Sequence, residues 1–338
     1  ICNENEAVDS RRSVGRIKLQ TRSWSKSLIV QLVKYSEFCW RIFPYAKKKQ
    51  ITMVNIHSLS LLPLGICLKI MLGAKLIYDT HELETEVTGL KDLRKYLAKC
   101  IERLGIHFAD HIFVVSESIA DHYVKKYNIT RPTVVFNTPN FCSPKNSNLL
   151  RESININDDI KILLYAGKLM QGRGIETILE AFTKKMNQRV VVVFMGYGPL
   201  EDRIKKKSEN YPNIFFYPAV PPDKVVEYMS SADVGITIIE NYCLSNYYCM
   251  PNKLFEYIMA GLPVIASNMF EMAKFVTDNN LGVIAVEETP EAVISAIETL
   301  YKKDLCVLRE SAQKASKLNS WEVQEKKMIS AYKSFLQQ

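Results

Sequence analysis

With 338 residues, 47% of them apolar and 24% charged, the chain is long enough for two domains with separate cores and has the balance of a soluble globular protein. Its eight cysteines show no CxxC spacing or paired clusters, which argues against a disulfide framework or a zinc ribbon and predicts reduced thiols in a cytosolic compartment. The net charge of +8 lies in one half: residues 1–145 hold 22 Lys and Arg against 13 Asp and Glu, so this half should meet an anionic surface or acceptor, and no nucleic-acid partner is expected.

The chain opens on Ile1 rather than Met, and its first residues read as the frayed end of a strand, so it is expected to begin inside a domain. A strand at 16–20 and a long helix lead to strand 50–56. The apolar run 59–72 is broken by Pro63, Gly65 and Lys69 and falls short of the ~20 residues a membrane span needs, so it reads as a buried helix. Strand 74–78, the loop 79–89, a helix to about His107, strand 111–115, a helix capped by Ser116 and strand 133–136 follow. This βα alternation predicts a parallel, doubly wound sheet. The segment 137–159 is polar, rich in Asn and Ser and without periodicity, and is expected to be a linker. Beyond it a second series begins: strands 161–166, 189–195, 213–217 and 233–239, with helices 174–185, 199–208 and 221–231 between them. The expected units are residues 1–142, joined by a final helix at 320–338, and residues 143–319.

Three turns at the carboxyl ends of the second series carry suggestive chemistry. Gly167 to Gly174 is a glycine-rich turn holding Lys168 and Arg173, suited to a diphosphate, although it is neither a P-loop nor a GxGxxG. Gly196, Gly198, Pro199 and Leu200 form a turn where small residues would let a flat group approach the backbone. The third is the stretch 237–267, which reads as strand, loop, helix and strand. Pro251 suits the first helical turn and Gly261 the helix end. The N–H groups of Asn252, Lys253 and Leu254 would then form an anion site with the Lys253 side chain beside it. Glu256, one turn on, is placed to accept bonds from a pair of hydroxyls. Phosphate followed by ribose is the ligand this spacing suggests. In the first half, His81 lies between Asp79 and Glu82 in a loop facing the same cleft, a candidate proton shuttle or hydroxyl-orienting group. His107 and His111 have metal-ligand spacing, but the start of a strand between them keeps their rings off a common helical face, and no metal site is expected there.

These stretches resemble the retaining, nucleotide-sugar-dependent glycosyltransferases of the GT-B fold, specifically glycosyltransferase family 4. The matching residues are YDTHELETE (78–86), HIFVVSESIADHY (111–123), AGKLMQGRGIETILEAF (166–182), GYGPLED (196–202), SSADVGI (230–236) and PNKLFEYIMAGLPVIAS (251–267). The resemblance implies two Rossmann-like α/β domains facing a cleft. It implies Lys168 and Arg173 on the donor diphosphate, Gly196 to Leu200 near the base, Glu256 on the ribose and His81 facing the transferred sugar. No cofactor or metal is implied beyond the nucleotide sugar. The expected acceptor is a lipid-linked or envelope glycan, met by a cytoplasmic enzyme at the inner face of the membrane.

There are two departures from the family pattern. The first of the family's paired glutamates is replaced by Tyr248, and the family's amino-terminal strand, glycine-rich loop and first helix would have to precede Ile1. A nucleotide-sugar epimerase of the same fold, or a catalytically inactive sugar-nucleotide-binding partner, is the alternative.

Overall fold

Strands and helices alternate along the computed structural model, which describes residues 17–25, 27–143, 147–184 and 189–336. Strands β1 (Met53–Ile56), β2 (Lys75–Asp79), β3 (His111–Val114) and β4 (Thr133–Val134) lie parallel in sequence order. A second parallel sheet holds β5 (Lys161–Lys168), β6 (Val190–Tyr197), β7 (Ile214–Pro218), β8 (Val234–Thr237), β9 (Val264–Ser267) and β10 (Gly282–Ala285) in the order β10-β9-β8-β5-β6-β7. The unbroken apolar runs of β5 and β6 fit strands buried on both faces, and helices cover both sides. From β5 the chain builds outward to β7, then crosses to the other side for β8 to β10. The turns after β5 and β8 therefore bound a crevice at the carboxyl edge, the switch point where such sheets take ligands.

The last helix, Trp321–Leu336, returns to the first sheet. Phe335 packs with Ile77, Phe113 and Val135, and Gln324 Oε1 accepts the Phe136 N–H at 3.1 Å. Three expectations change. Arg16 lies outside the described residues, and instead of a strand the next segment forms a 3-10 turn at Gln20–Ser23. The Glu37 carboxylate accepts the N–H groups of Gln20 and Thr21 there, at 2.7 and 3.0 Å, which curls the backbone. The expected linker is partly folded: Leu149–Ser153 is a short helix whose Leu150 is buried in the core of the second sheet. Arg151 fixes it by an ion pair to Asp233 at 2.9 Å and bonds to the carbonyls of Asn157 and Ile160. The apolar run at 59–72 becomes a turn, Leu59–Leu61, and a helix, Leu62–Leu72, ended by Gly73 in the left-handed conformation. No described helix is long and apolar enough to cross a membrane.

Candidate active site

The crevice is built around the helix Asn252–Met259, which enters from the loop after β8. Pro251 is its N-cap, with extended φ/ψ, rather than its first helical residue. Tyr257 anchors this helix under the sheet edge. Its hydroxyl donates to the Ile236 carbonyl at 3.0 Å and accepts the Ala166 N–H at 2.9 Å. The ring fits because residue 235 is glycine, where a Cβ would meet it at 2.5 Å. Asn252 and Lys253 occupy the first helical positions, whose N–H groups have no intrahelical acceptor. Leu254 departs from expectation: its N–H is bonded to the Pro251 carbonyl at 3.0 Å and its side chain is fully buried, so it offers an anion nothing.

Lys168 ends β5, and Arg173 follows on a turn closed by Gly174. Gly174 has φ +67°, and a Cβ there would lie 2.4 Å from Ile238, so only glycine serves. The Lys253 ammonium lies 3.8 Å from the centre of the Tyr165 ring. Burial pushes its pKa down to about 7, with Arg173 adding repulsion and Glu256 opposing. Burial likewise raises Glu256, against the pull of Lys253. Both shifts favour the neutral forms, so desolvation outweighs the attraction between the two. An anion entering between Arg173 and Lys253 would reverse the balance at the lysine.

The opposite wall comes from the first sheet. His81, Glu82, Val115 and Ile119 close a cavity of about 410 Å³ over Lys168, Arg173, Asn252, Lys253 and Glu256. This size and shape suit a small-molecule ligand. It opens past Glu82, Met170, Arg173 and Asn246 into a larger hollow of about 1010 Å³ that also takes in Glu176, Glu240 and Glu288. Glu240 is raised by burial and by its neighbours Glu176 and Glu288. The two halves are tied beside the cavity. The Leu83 N–H donates to Ser245 Oγ at 3.2 Å, and the Ser118 N–H, in the first turn of the helix Glu117–Tyr127, donates to Glu271 at 2.6 Å.

Gly196, Gly198, Pro199 and Leu200 do not line this cavity. The glycines let β5 and β6 run close together, since a Cβ on Gly196 would lie 1.9 Å from the Gly167 oxygen and one on Gly198 2.3 Å from the Leu169 oxygen. Tyr248 is also turned away from the cavity, packing against Tyr247, Phe270 and the core of the first sheet. Of the nearby thiols, Cys249 is pushed up to about 12 by burial, which makes it a poor nucleophile. Sequence reasoning missed His57, which follows β1 and stands 3.0 Å from His81. The available signal was a histidine directly after an apolar strand in the same βα series.

The family model described as glycosyl transferases group 1 matches residues 146–319, more than half of the chain, and the glycosyltransferase family 4 model matches residues 10–139. The chain belongs to the group 1 glycosyltransferases. Among relatives of this glycosyltransferase, WcaI of Escherichia coli K12, provisionally named as a colanic acid biosynthesis glycosyl transferase, is 23% identical over 64% of the chain. That match spans 56% of WcaI, little more than half its length. Sucrose-phosphate synthase from Thermosynechococcus elongatus superposes with a TM-score of 0.76 at 18% identity, over 95% of this chain and 83% of its own. Anabaena HepE in complex with UDP and glucose superposes at 0.69 and 13% identity, over 91% of this chain and 83% of its own. These likenesses establish the GT-B fold.

Proposed function

We propose that this glycosyltransferase moves a sugar from a nucleotide diphosphate sugar to an acceptor hydroxyl. The observation that carries the reading is the convergence of Lys168, Arg173, Lys253 and the Asn252–Met259 helix terminus on one cavity, with Glu256 behind them. In this reading the cations and the helix terminus hold the diphosphate, Glu256 accepts bonds from the ribose hydroxyls, and the base reaches out of the cavity toward the turn at Gly196 to Leu200, which does not line it. The complex of HepE with UDP and glucose, on the same fold, supports a donor of this class.

As the anomeric C–O bond breaks, negative charge grows on the leaving diphosphate. Fixed cations and dipoles in a desolvated site stabilise that charge without reorganising, which is the work a metal would otherwise do. The acceptor oxygen bonds to the anomeric carbon and its proton passes to a diphosphate oxygen. Attack on the face the leaving group vacates retains configuration and requires no protein nucleophile. His81, across the cavity, is placed to orient a hydroxyl of the transferred sugar.

The acceptor in this reading is a lipid-linked or envelope glycan presented at an anionic membrane. The relative WcaI, named for colanic acid biosynthesis, fits an envelope product. The helix Asp92–Gly105 leaves Leu93, Tyr96 and Leu104 exposed by 66, 66 and 72% beside Lys91, Arg94 and Arg103. Such an apolar strip edged with cations suits the headgroup boundary of a bilayer. Lys91, Lys95, Lys99 and Arg103 recur every four residues along this helix, but Lys95 and Lys99 both pair with Glu86, at 2.6 and 2.7 Å.

Product analysis tests the reading. With donor and a lipid-linked acceptor, the sugar should appear on the acceptor with the donor's anomeric configuration and with release of nucleoside diphosphate. An altered sugar formed from donor alone would establish an epimerase instead.

A further inference from the structure

Two histidines and an aspartate meet where β1 and β2 end. The strands are neighbours with Ile56 opposite Tyr78, so His57 and Asp79 leave the sheet side by side, and His81 follows two residues later. His57 Nδ1 lies 3.0 Å from His81 Nε2 and 3.3 Å from Asp79 Oδ2. The imidazole rings stack with centroids 5.2 Å apart, and one ligand atom from each of the three residues falls within 4.8 Å of the others. Among the described residues no other group of three or more His, Cys, Asp or Glu side chains converges in this way.

Hydrogen bonding alone satisfies this trio poorly. One His57 Nδ1–H can point at His81 or at Asp79 but serves both only as a weak, divided bond. A cation would satisfy all three. Nitrogen and oxygen ligands about 2.0–2.2 Å from a tetrahedral ion lie about 3.3 Å from one another, near the two separations found here.

We propose that His57, Asp79 and His81 form a binding site for a divalent transition metal of the zinc class at the first-domain wall of the cleft. Two imidazoles and one carboxylate favour such an ion over magnesium or calcium, which prefer oxygen ligands in greater number. The ion would take His81 Nε2 and so hold the imidazole that the proposed function sets on a sugar hydroxyl. It is therefore an inhibitor of transfer rather than a cofactor, and this clause alone rests on the function proposed above.

Calorimetric titration of the full chain with Zn²⁺, in a buffer that does not chelate it, tests the site. A single tight site is expected, weakened at least about tenfold in His57→Ala and in His81→Ala, since loss of a direct ligand costs no less than the 10–100-fold typical of outer-shell partners. His107→Ala, an exposed histidine elsewhere, should retain full affinity. Both mutated ligand histidines are exposed, so melting midpoints near wild type should confirm folding of the variants. The Co²⁺-loaded protein should show ligand-field absorption without a thiolate charge-transfer band. Unchanged affinity in both ligand variants, or a thiolate band, overturns the site. Zinc that binds as described but leaves transfer unaffected upholds the site and overturns the role of His81 in sugar transfer.

Discussion

Lys168 and Arg173 offer the sharpest test at the scale of single residues. Charge-assisted bonds to phosphate are worth roughly 1.5–3 kcal/mol each, so Lys168→Ala and Arg173→Ala should each weaken UDP or GDP binding by about tenfold or more. Titration calorimetry showing wild-type affinity in both variants would remove them from the donor site. Glu256→Gln separates ribose from phosphate. Nucleoside diphosphate affinity should fall while inorganic pyrophosphate affinity stays nearly level, and equal losses would make Glu256 structural. Lys253 adds a pH dependence. Its pKa of about 7 leaves it mostly charged below neutrality and mostly neutral above. A diphosphate, ionised for the most part above about pH 7, pulls the lysine back to its charged form, so binding takes up a proton as pH rises past 7. Affinity should then decline from pH 7 to 9 by at most about tenfold per unit, and Lys253→Met should abolish the slope. Flat affinity with no proton uptake, measured in buffers of different ionisation enthalpy, would place Lys253 away from the phosphate.

At the scale of elements, the Asn252–Met259 helix shows what a linear sequence discloses and what it hides. Gly261 and Pro251 marked its ends, and the spacing of Lys253 and Glu256 placed both on one wall, because helical periodicity is local. The capture of the Leu254 N–H by Pro251 depends on the N-cap geometry, and the anchoring of the helix by Tyr257 depends on β5 and β8 lying side by side. Neither follows from spacing. The four-residue spacing of cations on the Asp92–Gly105 helix hides a contact of the same kind: a partner outside the helix, Glu86, takes two of its lysines. Its exposed apolar strip carries the next prediction. Vesicle flotation should recover the protein on anionic but not neutral liposomes. Because burying a leucine contributes about 1.5–3 kcal/mol, the double change Leu93→Asp and Leu97→Asp should reduce recovery at least about tenfold without unfolding exposed positions. Equal recovery on neutral and anionic vesicles, or none on either, would leave the helix as solvated surface and point to a soluble acceptor.

At the scale of the molecule, the two parallel sheets were legible because βα alternation is a repeated local signal, and their carboxyl edges were where the candidate residues gathered. The contacts that seat the two halves on each other across the cleft were not. Tyr248 leaves the cavity to pack on the core of the first sheet, and Glu271 reaches across to the Ser118 N–H. His57 joins His81 because two strands whose partner residues, such as Ile56 and Tyr78, are distant in sequence pair in register. Each contact depends on pairing or docking that no short window contains. Cations from the second sheet face His81 across the cavity, and the function proposed above has them hold a nucleoside diphosphate without a metal ion. Calorimetric titration of UDP and GDP into the protein in excess EDTA addresses this directly. One-to-one binding of at least one of them, weakened by about tenfold or more in Lys168→Ala and in Arg173→Ala, is the predicted result; binding of neither, or binding only after Mg²⁺ or Mn²⁺ is restored, would contradict it.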